Sequence, residues 1–145
     1  MAMLPFCGYN MADCWAHWLA IGRREGAQLP RIFYVNWFRK QGGRFLWPGF
    51  GENVRVLRWV FERCAGRASG PETAIGTMPR PHDLERWGLS LPRGELETLL
   101  EVDAEGWLNE VPLIRDYYAQ FGTKVPAALV HELHQLEERL RSERG

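Results

Sequence analysis

The stretch from Val35 to Asn53 limits what this chain can become more than any other. It reads Val-Asn-Trp-Phe-Arg-Lys-Gln-Gly-Gly-Arg-Phe-Leu-Trp-Pro-Gly-Phe-Gly-Glu-Asn, with five aromatics (Trp37, Phe38, Phe45, Trp47, Phe50) set among glycine-bearing turns. Four glycines and Pro48 forbid a single long helix or strand here, so turns and short segments must carry the rings. Rings held in that way are available to stack on a planar group. An asparagine beside them both donates and accepts, as the edge of a heterocycle requires. Arg39, Lys40 and Arg44 lie between the rings and are candidates to face phosphates. These residues point to a purine pocket. Two blander readings stand beside it: the aromatics are core, and Asn53 only caps the helix that starts there.

The elements around this stretch follow from spacing. Apolar residues at Met11, Cys14, Trp15, Trp18 and Leu19 mark a helix, with Asn10 as its N-cap and Gly22 as its stop. Arg31 to Trp37 (Ile32, Phe33, Tyr34, Val35) is β-branched and aromatic, which predicts a strand covered on both faces. Gln41-Gly42-Gly43 is a tight turn, and Arg44-Phe45-Leu46 returns as a short strand. Val54, Leu57, Val60, Phe61 and Cys64 predict a helix from Asn53 to Cys64. Its N-terminus favours acceptor or negative groups at Glu52-Asn53. Gly66 to Leu91 is broken by Gly and Pro and must be pinned by Ile75, Met78, Leu84, Trp87 and Leu89. Short helices follow at Glu95–Leu100 and after Asp103, with Pro112 expected to kink or split the second. Pro126 opens a last helix striped by Leu129, Leu133, Leu136 and Leu140, whose charged end, Glu137 to Arg144, is expected to fray. The chain thus reads as one portion, 1–145, made of a site core (1–65), an irregular loop (66–92) and a helical part (93–145). The fold class is α/β, with a few strands around Arg31–Leu46 covered by helices.

What the chain lacks narrows its chemistry. It contains no Gly-x-x-x-x-Gly-Lys-Ser/Thr loop, no dinucleotide fingerprint and no nucleophile with a recognisable base, so no catalytic residue is assigned. His17 sits between Trp15 and Trp18 and reads as a histidine at the edge of a core. His131 and His134 are three apart on the last helix without a carboxylate or cysteine to complete a shell, so no metal ligand is assigned. Eighteen basic residues balance eighteen acidic ones, which argues against a nucleic-acid partner. No apolar run is long enough to span a bilayer, and three cysteines without ligand spacing suit a reduced, cytoplasmic setting.

The aromatic stretch resembles a known family. Val35-Asn36-Trp37-Phe38-Arg39-Lys40, followed by Phe45-Leu46-Trp47-Pro48-Gly49-Phe50-Gly51-Glu52-Asn53, is similar to the guanine-binding region of GTP-dependent phosphoenolpyruvate carboxykinases. The likeness extends to Met3, Pro5-Phe6, Gly8-Tyr9-Asn10 and Ala16-His17-Trp18-Leu19, and downstream to Ile75-Gly76, Pro79 and the helices ending at Phe121-Gly122 and Leu140. It covers the whole chain but only the C-terminal part of the family's length. The resemblance implies the C-terminal part of the carboxykinase fold. It also implies the conversion of oxaloacetate and GTP to phosphoenolpyruvate, GDP and CO2, at the entry to gluconeogenesis, with Mn²⁺ and Mg²⁺. Carried over to this sequence, Phe38 and Phe50 sandwich the guanine, Phe45 completes the wall, Asn53 bonds the base and Trp37 shapes the site.

The same resemblance places the phosphate loop, the metal ligands and the oxaloacetate site outside this chain. GTP or GDP would therefore meet it through the base alone, the two metals are not ligated by it, and the missing N-terminal portion of the enzyme becomes a partner. Leu4 stands where arginine is usual, and Cys7 where an aromatic is usual. Catalysis by the chain alone is not expected. The alternative is a non-catalytic binding or assembly module that retains the carboxykinase C-terminal fold.

Overall fold

A computed structural model describes residues 4–92 and 94–143; Met3 and Arg144, which entered the sequence reading above, lie outside the described residues. In chain order the elements are α1 (Met11–Gly22), β1 (Lys40–Gln41), β2 (Arg44–Phe45), α2 (Asn53–Cys64), β3 (Glu72–Thr73), β4 (Gly76–Thr77), α3 (Glu95–Leu100), α4 (Ala104–Ala119) and α5 (Ala127–Glu143). The chain divides into two compact units, residues 1–30 with 103–145, and residues 31–102.

The first unit is helical. Asn10 caps α1, its Oδ1 accepting from the Ala12 N–H at 2.9 Å, while its Nδ2 donates to the Phe121 carbonyl at 3.2 Å. One side chain thus starts a helix and ties it to a segment 111 residues away. Met11, Ala12 and Phe121 form the buried cluster beneath it, joined by Cys7, Cys14, Trp15 and Val125. The Trp15 ring meets Phe121 edge-on at 4.7 Å, and an edge-to-face pair of this kind adds about 0.5–1.5 kcal/mol beyond its buried area.

Helices α4 and α5 pack on each other, with Val111, Leu133 and Leu140 buried. The expected break at Pro112 does not occur: α4 runs unbroken from Ala104 to Ala119. Pro112 lies on the exposed side, where water can satisfy the carbonyl its ring leaves unpaired, while buried Val111 holds the helix down. Nor does the end of α5 fray within the described residues. Leu140 is fully buried, and Glu137 pairs with both Arg115 and Arg141, so the helix persists to Glu143.

The second unit combines two helices with two antiparallel hairpins, β1–β2 and β3–β4. Its centre is Trp59, Leu84 and Leu96, with Phe33, Val60, Leu91, Leu99 and Leu100 around them. Three expectations are corrected here. Residues Arg31 to Trp37 form no strand; they run without a ladder, with Ile32 82% and Tyr34 87% exposed. An isolated β-prone segment has no partner to bond, and Phe33 turns inward onto Trp59 at 6.2 Å, as Trp37 does onto Trp47 at 6.1 Å. Helix α2 has the expected bounds but a different inward face: Trp59 is buried, whereas Val54, Leu57 and Phe61 are exposed. In the irregular loop Leu84 is buried and does the pinning, while Trp87 is 87% exposed and Ile75 also lies open.

Candidate functional site

The aromatic stretch is shaped by two turns that only glycine makes cheaply. Lys40 pairs with Phe45 and Gln41 with Arg44, leaving Gly42 and Gly43 as a two-residue loop with φ of 56° and 81°. Positive φ at both positions is the signature of a turn whose twist matches the strands it joins. After Pro48, Gly49 takes φ 126° and ψ −169°, a region closed to other residues, and swings the chain into a 3-10 turn at Phe50–Glu52. Helix α2 starts directly behind it at Asn53.

Between these turns the chain alternates buried anchors with open rings. Leu46 and Trp47 are buried, whereas Phe38 is 74%, Phe45 48% and Phe50 92% exposed. These three phenylalanines are thus not part of this chain's own buried core. Phe38 and Phe45 meet at 6.2 Å with 65° between their planes, forming a corner with one ring available for stacking and the other as a wall. Phe50 stands apart, with no ring contact found for it among the described residues. Trp37 packs on Trp47 at 6.1 Å from the inner side. Asn36 accepts from the Phe38 N–H at 2.9 Å, which fixes the backbone where the first ring emerges.

Asn53 does not act as a helix cap. No side chain caps α2, and the Asn53 Oδ1 instead accepts from the Trp47 indole N–H at 2.8 Å. An indole N–H can only donate, so the atom facing it must be the carboxamide oxygen. The amide orientation is thereby set, and Nδ2 carries the two N–H groups left to address a ligand. A buried indole needs an acceptor, and one lies six residues ahead, a signal present in the sequence but weak without the fold.

The three cations between the rings have structural partners. Arg39 donates to the carbonyls of Leu99 at 3.1 Å and Glu101 at 3.0 Å, at the C-terminal end of α3. Arg44 pairs with Glu95, which is nearly buried, and this bond raises the arginine's pKa above its usual value. Lys40 Nζ lies 4.4 Å from the centre of the Phe45 ring. The expectation that these cations face phosphates gives way to anchoring roles, since a carboxylate, two carbonyls and a ring already engage them.

No group of three His, Cys, Asp or Glu side chains comes together among the described residues, so these residues do not fit a shell for Mn²⁺ or Mg²⁺. No helix among them is long and apolar enough to cross a membrane.

Comparison with known proteins places this geometry in context. A family model described as the phosphoenolpyruvate carboxykinase C-terminal P-loop domain matches residues 1–139. The chain is 50% identical over 143 residues to phosphoenolpyruvate carboxykinase (GTP) of Neocallimastix frontalis. It is 50% identical over 142 residues to that of Chlamydia muridarum, and 48% over 147 residues to that of Treponema pallidum. These matches cover 97%, 97% and 99% of this chain, but it spans only 24% of the length of each relative.

Proposed function

The chain belongs to the phosphoenolpyruvate carboxykinase family through its C-terminal P-loop domain, and from that premise we propose that it supplies the guanine site of a GTP-dependent carboxykinase. In this reading the base stacks on Phe38 against the wall of Phe45, and Phe50 closes over its other face. Trp37 supports the floor through Trp47. Each stacking contact is worth about 1–3 kcal/mol but does not tell one purine from another. Discrimination falls to Asn53. The Trp47–Asn53 hydrogen bond carries the proposal, because it leaves N–H donors to meet the base. Guanine offers a carbonyl acceptor at O6, where adenine offers an amino donor. A fixed donor therefore accepts the first and leaves the second unpaired, which is costly.

The reaction proposed for the complete enzyme is the family's: oxaloacetate and GTP giving phosphoenolpyruvate, GDP and CO2. This chain's share is to bind and orient the base. Phosphate, metal and oxaloacetate chemistry belong to the rest of the polypeptide, which we take as its partner. Two exposed surfaces support that partnership. One is the α2 stripe Val54, Leu57 and Phe61, between 49% and 72% exposed. The other is the unladdered segment bearing Ile32 and Tyr34.

The test is a tryptophan-fluorescence titration of the chain with GDP, inosine diphosphate and ADP. Trp37 and Trp47 lie beside the site and report its filling. Without phosphate contacts the affinity expected is about millimolar. The two diphosphates that carry O6 should saturate the signal alike, and ADP should not. Equal responses to all three would reject the assignment of selectivity to Asn53.

A further inference from the structure

Away from the base site, sulfur collects at the start of α1. The Cys7 Sγ lies 3.8 Å from the Sδ of Met11. Cys14 follows Met11 by three residues and so shares its helix face. Both cysteines pack against the Met11, Ala12 and Phe121 cluster, and both are thiols rather than half of a disulfide. The neighbouring thiols, Cys14 foremost and then Cys7, raise the pKa of the Tyr9 phenol. The Cys7 and Met11 sulfurs thus meet at the start of α1, with Cys14 one turn further along the same face and against the same cluster.

We propose that Cys7, Met11 and Cys14 form a three-sulfur site for a soft monovalent cation, Cu(I) in chemical class. Thiolate and thioether sulfurs select such ions over hard or borderline divalent ones. The spacing suits it: with metal–sulfur bonds of about 2.3 Å, a trigonal site has sulfur–sulfur edges of about 4 Å. The Cys7–Met11 separation already equals one such edge. The described residues bring no third His, Cys, Asp or Glu to this place, so the donors that Zn²⁺ or Mn²⁺ would need are missing.

Binding releases two protons. Each thiol gives one to solvent as its sulfur bonds the cation, Met11 donates a neutral lone pair, and no electron is transferred. Met11 is buried and the cysteines are only partly so, which puts the thioether on the inner side of the site and the thiols toward solvent.

The test uses the full chain reduced with a phosphine, Ag(I) as a redox-inert probe, and alkylation followed by peptide mass spectrometry. One equivalent of Ag(I) should protect Cys7 and Cys14 together while exposed Cys64 alkylates normally. Competition with a chromophoric Cu(I) chelator should show binding roughly a hundredfold weaker in Cys7→Ser and in Cys14→Ser. It should be about tenfold weaker in Met11→Leu, a nearly volume-conserving change that keeps the fold. Protection of one cysteine alone, protection that falls equally on Cys64, or undiminished Cu(I) binding in both serine variants would overturn the site. So would a Cys7–Cys14 disulfide formed on mild oxidation in a chain that Ag(I) does not protect.

Discussion

Replacing Asn53 by Asp separates recognition from stability. The two side chains have the same shape, and an aspartate oxygen still accepts the Trp47 indole N–H that now meets Asn53 Oδ1 at 2.8 Å. Asn53 is the first residue of α2, and a negative charge there contributes about 0.3–1 kcal/mol through the helix dipole. The melting temperature should therefore hold or rise slightly. What changes is the outward atom, from a donor to an acceptor. Opposite guanine O6, one hydrogen bond is lost and two acceptors face each other, a cost of about 1–3 kcal/mol. That is roughly a 5- to 150-fold loss of GDP affinity. The adenine amino group meanwhile gains an acceptor, so ADP should strengthen. Isothermal or fluorescence titration of both proteins with GDP, inosine diphosphate and ADP reads the shift directly. Retained or tighter GDP binding in the aspartate variant would refute the reasoning, since it would place the side chain against the N–H groups of the ring rather than O6.

Other consequences follow from the same geometry. Gly49→Ala should cost about 1–3 kcal/mol in denaturant unfolding; a Cβ there meets nothing within 4 Å, so the loss is purely backbone strain. Trp59→Ala removes the centre of the second unit and should cost about 3–5 kcal/mol, seen in the same unfolding experiment. Leu57→Glu with Phe61→Glu should leave helicity unchanged and reduce self-association in analytical ultracentrifugation, because both side chains are exposed on α2. Glu62 and Glu137 have lowered pKa values, held down first by hydrogen bonds from Arg67 and Arg141 respectively. Their contribution is present above the usual carboxylate range and is lost as pH falls through the depressed values. Glu137→Gln should therefore lower the melting temperature at neutral and alkaline pH and converge on the parent chain in acid, flattening the acid side of the profile.

Local signals were legible and distant ones were not. Asn10 as a cap, the glycine turn at 42–43 and the bounds of α2 and α3 all follow from residues within a turn of one another. The segment Arg31–Trp37 misled because β propensity states what fits a sheet and not whether a neighbouring strand exists. Val54, Leu57 and Phe61 misled in the same way: periodicity reveals an apolar face but does not name what covers it. At Arg39, Lys40 and Arg44 the residues and their spacing left the partners open; Leu99, Glu101 and Glu95 lie more than fifty residues away from the arginines that hold them.

On the proposed function, the same distinction explains how a base site falls within a chain that spans only 24% of its relatives' length. Its contacts are short in sequence: Asn36 to Phe38, Phe38 to Phe45, Trp37 to Trp47, and Trp47 to Asn53. Two glycine-dependent turns and one indole–amide bond set them, and the anchors that steady them, Arg39 and Arg44, reach only to α3 within the same unit. On the proposed function, base selectivity is then a property of this unit. Affinity, which on that proposal needs phosphate contacts and a covered α2, is assigned to the assembled enzyme. Adding the complementary upstream portion of a carboxykinase should tighten GDP and ADP by a common factor while leaving their ratio nearly fixed. A ratio that changed with assembly would mean the partner, rather than Asn53, reads the base.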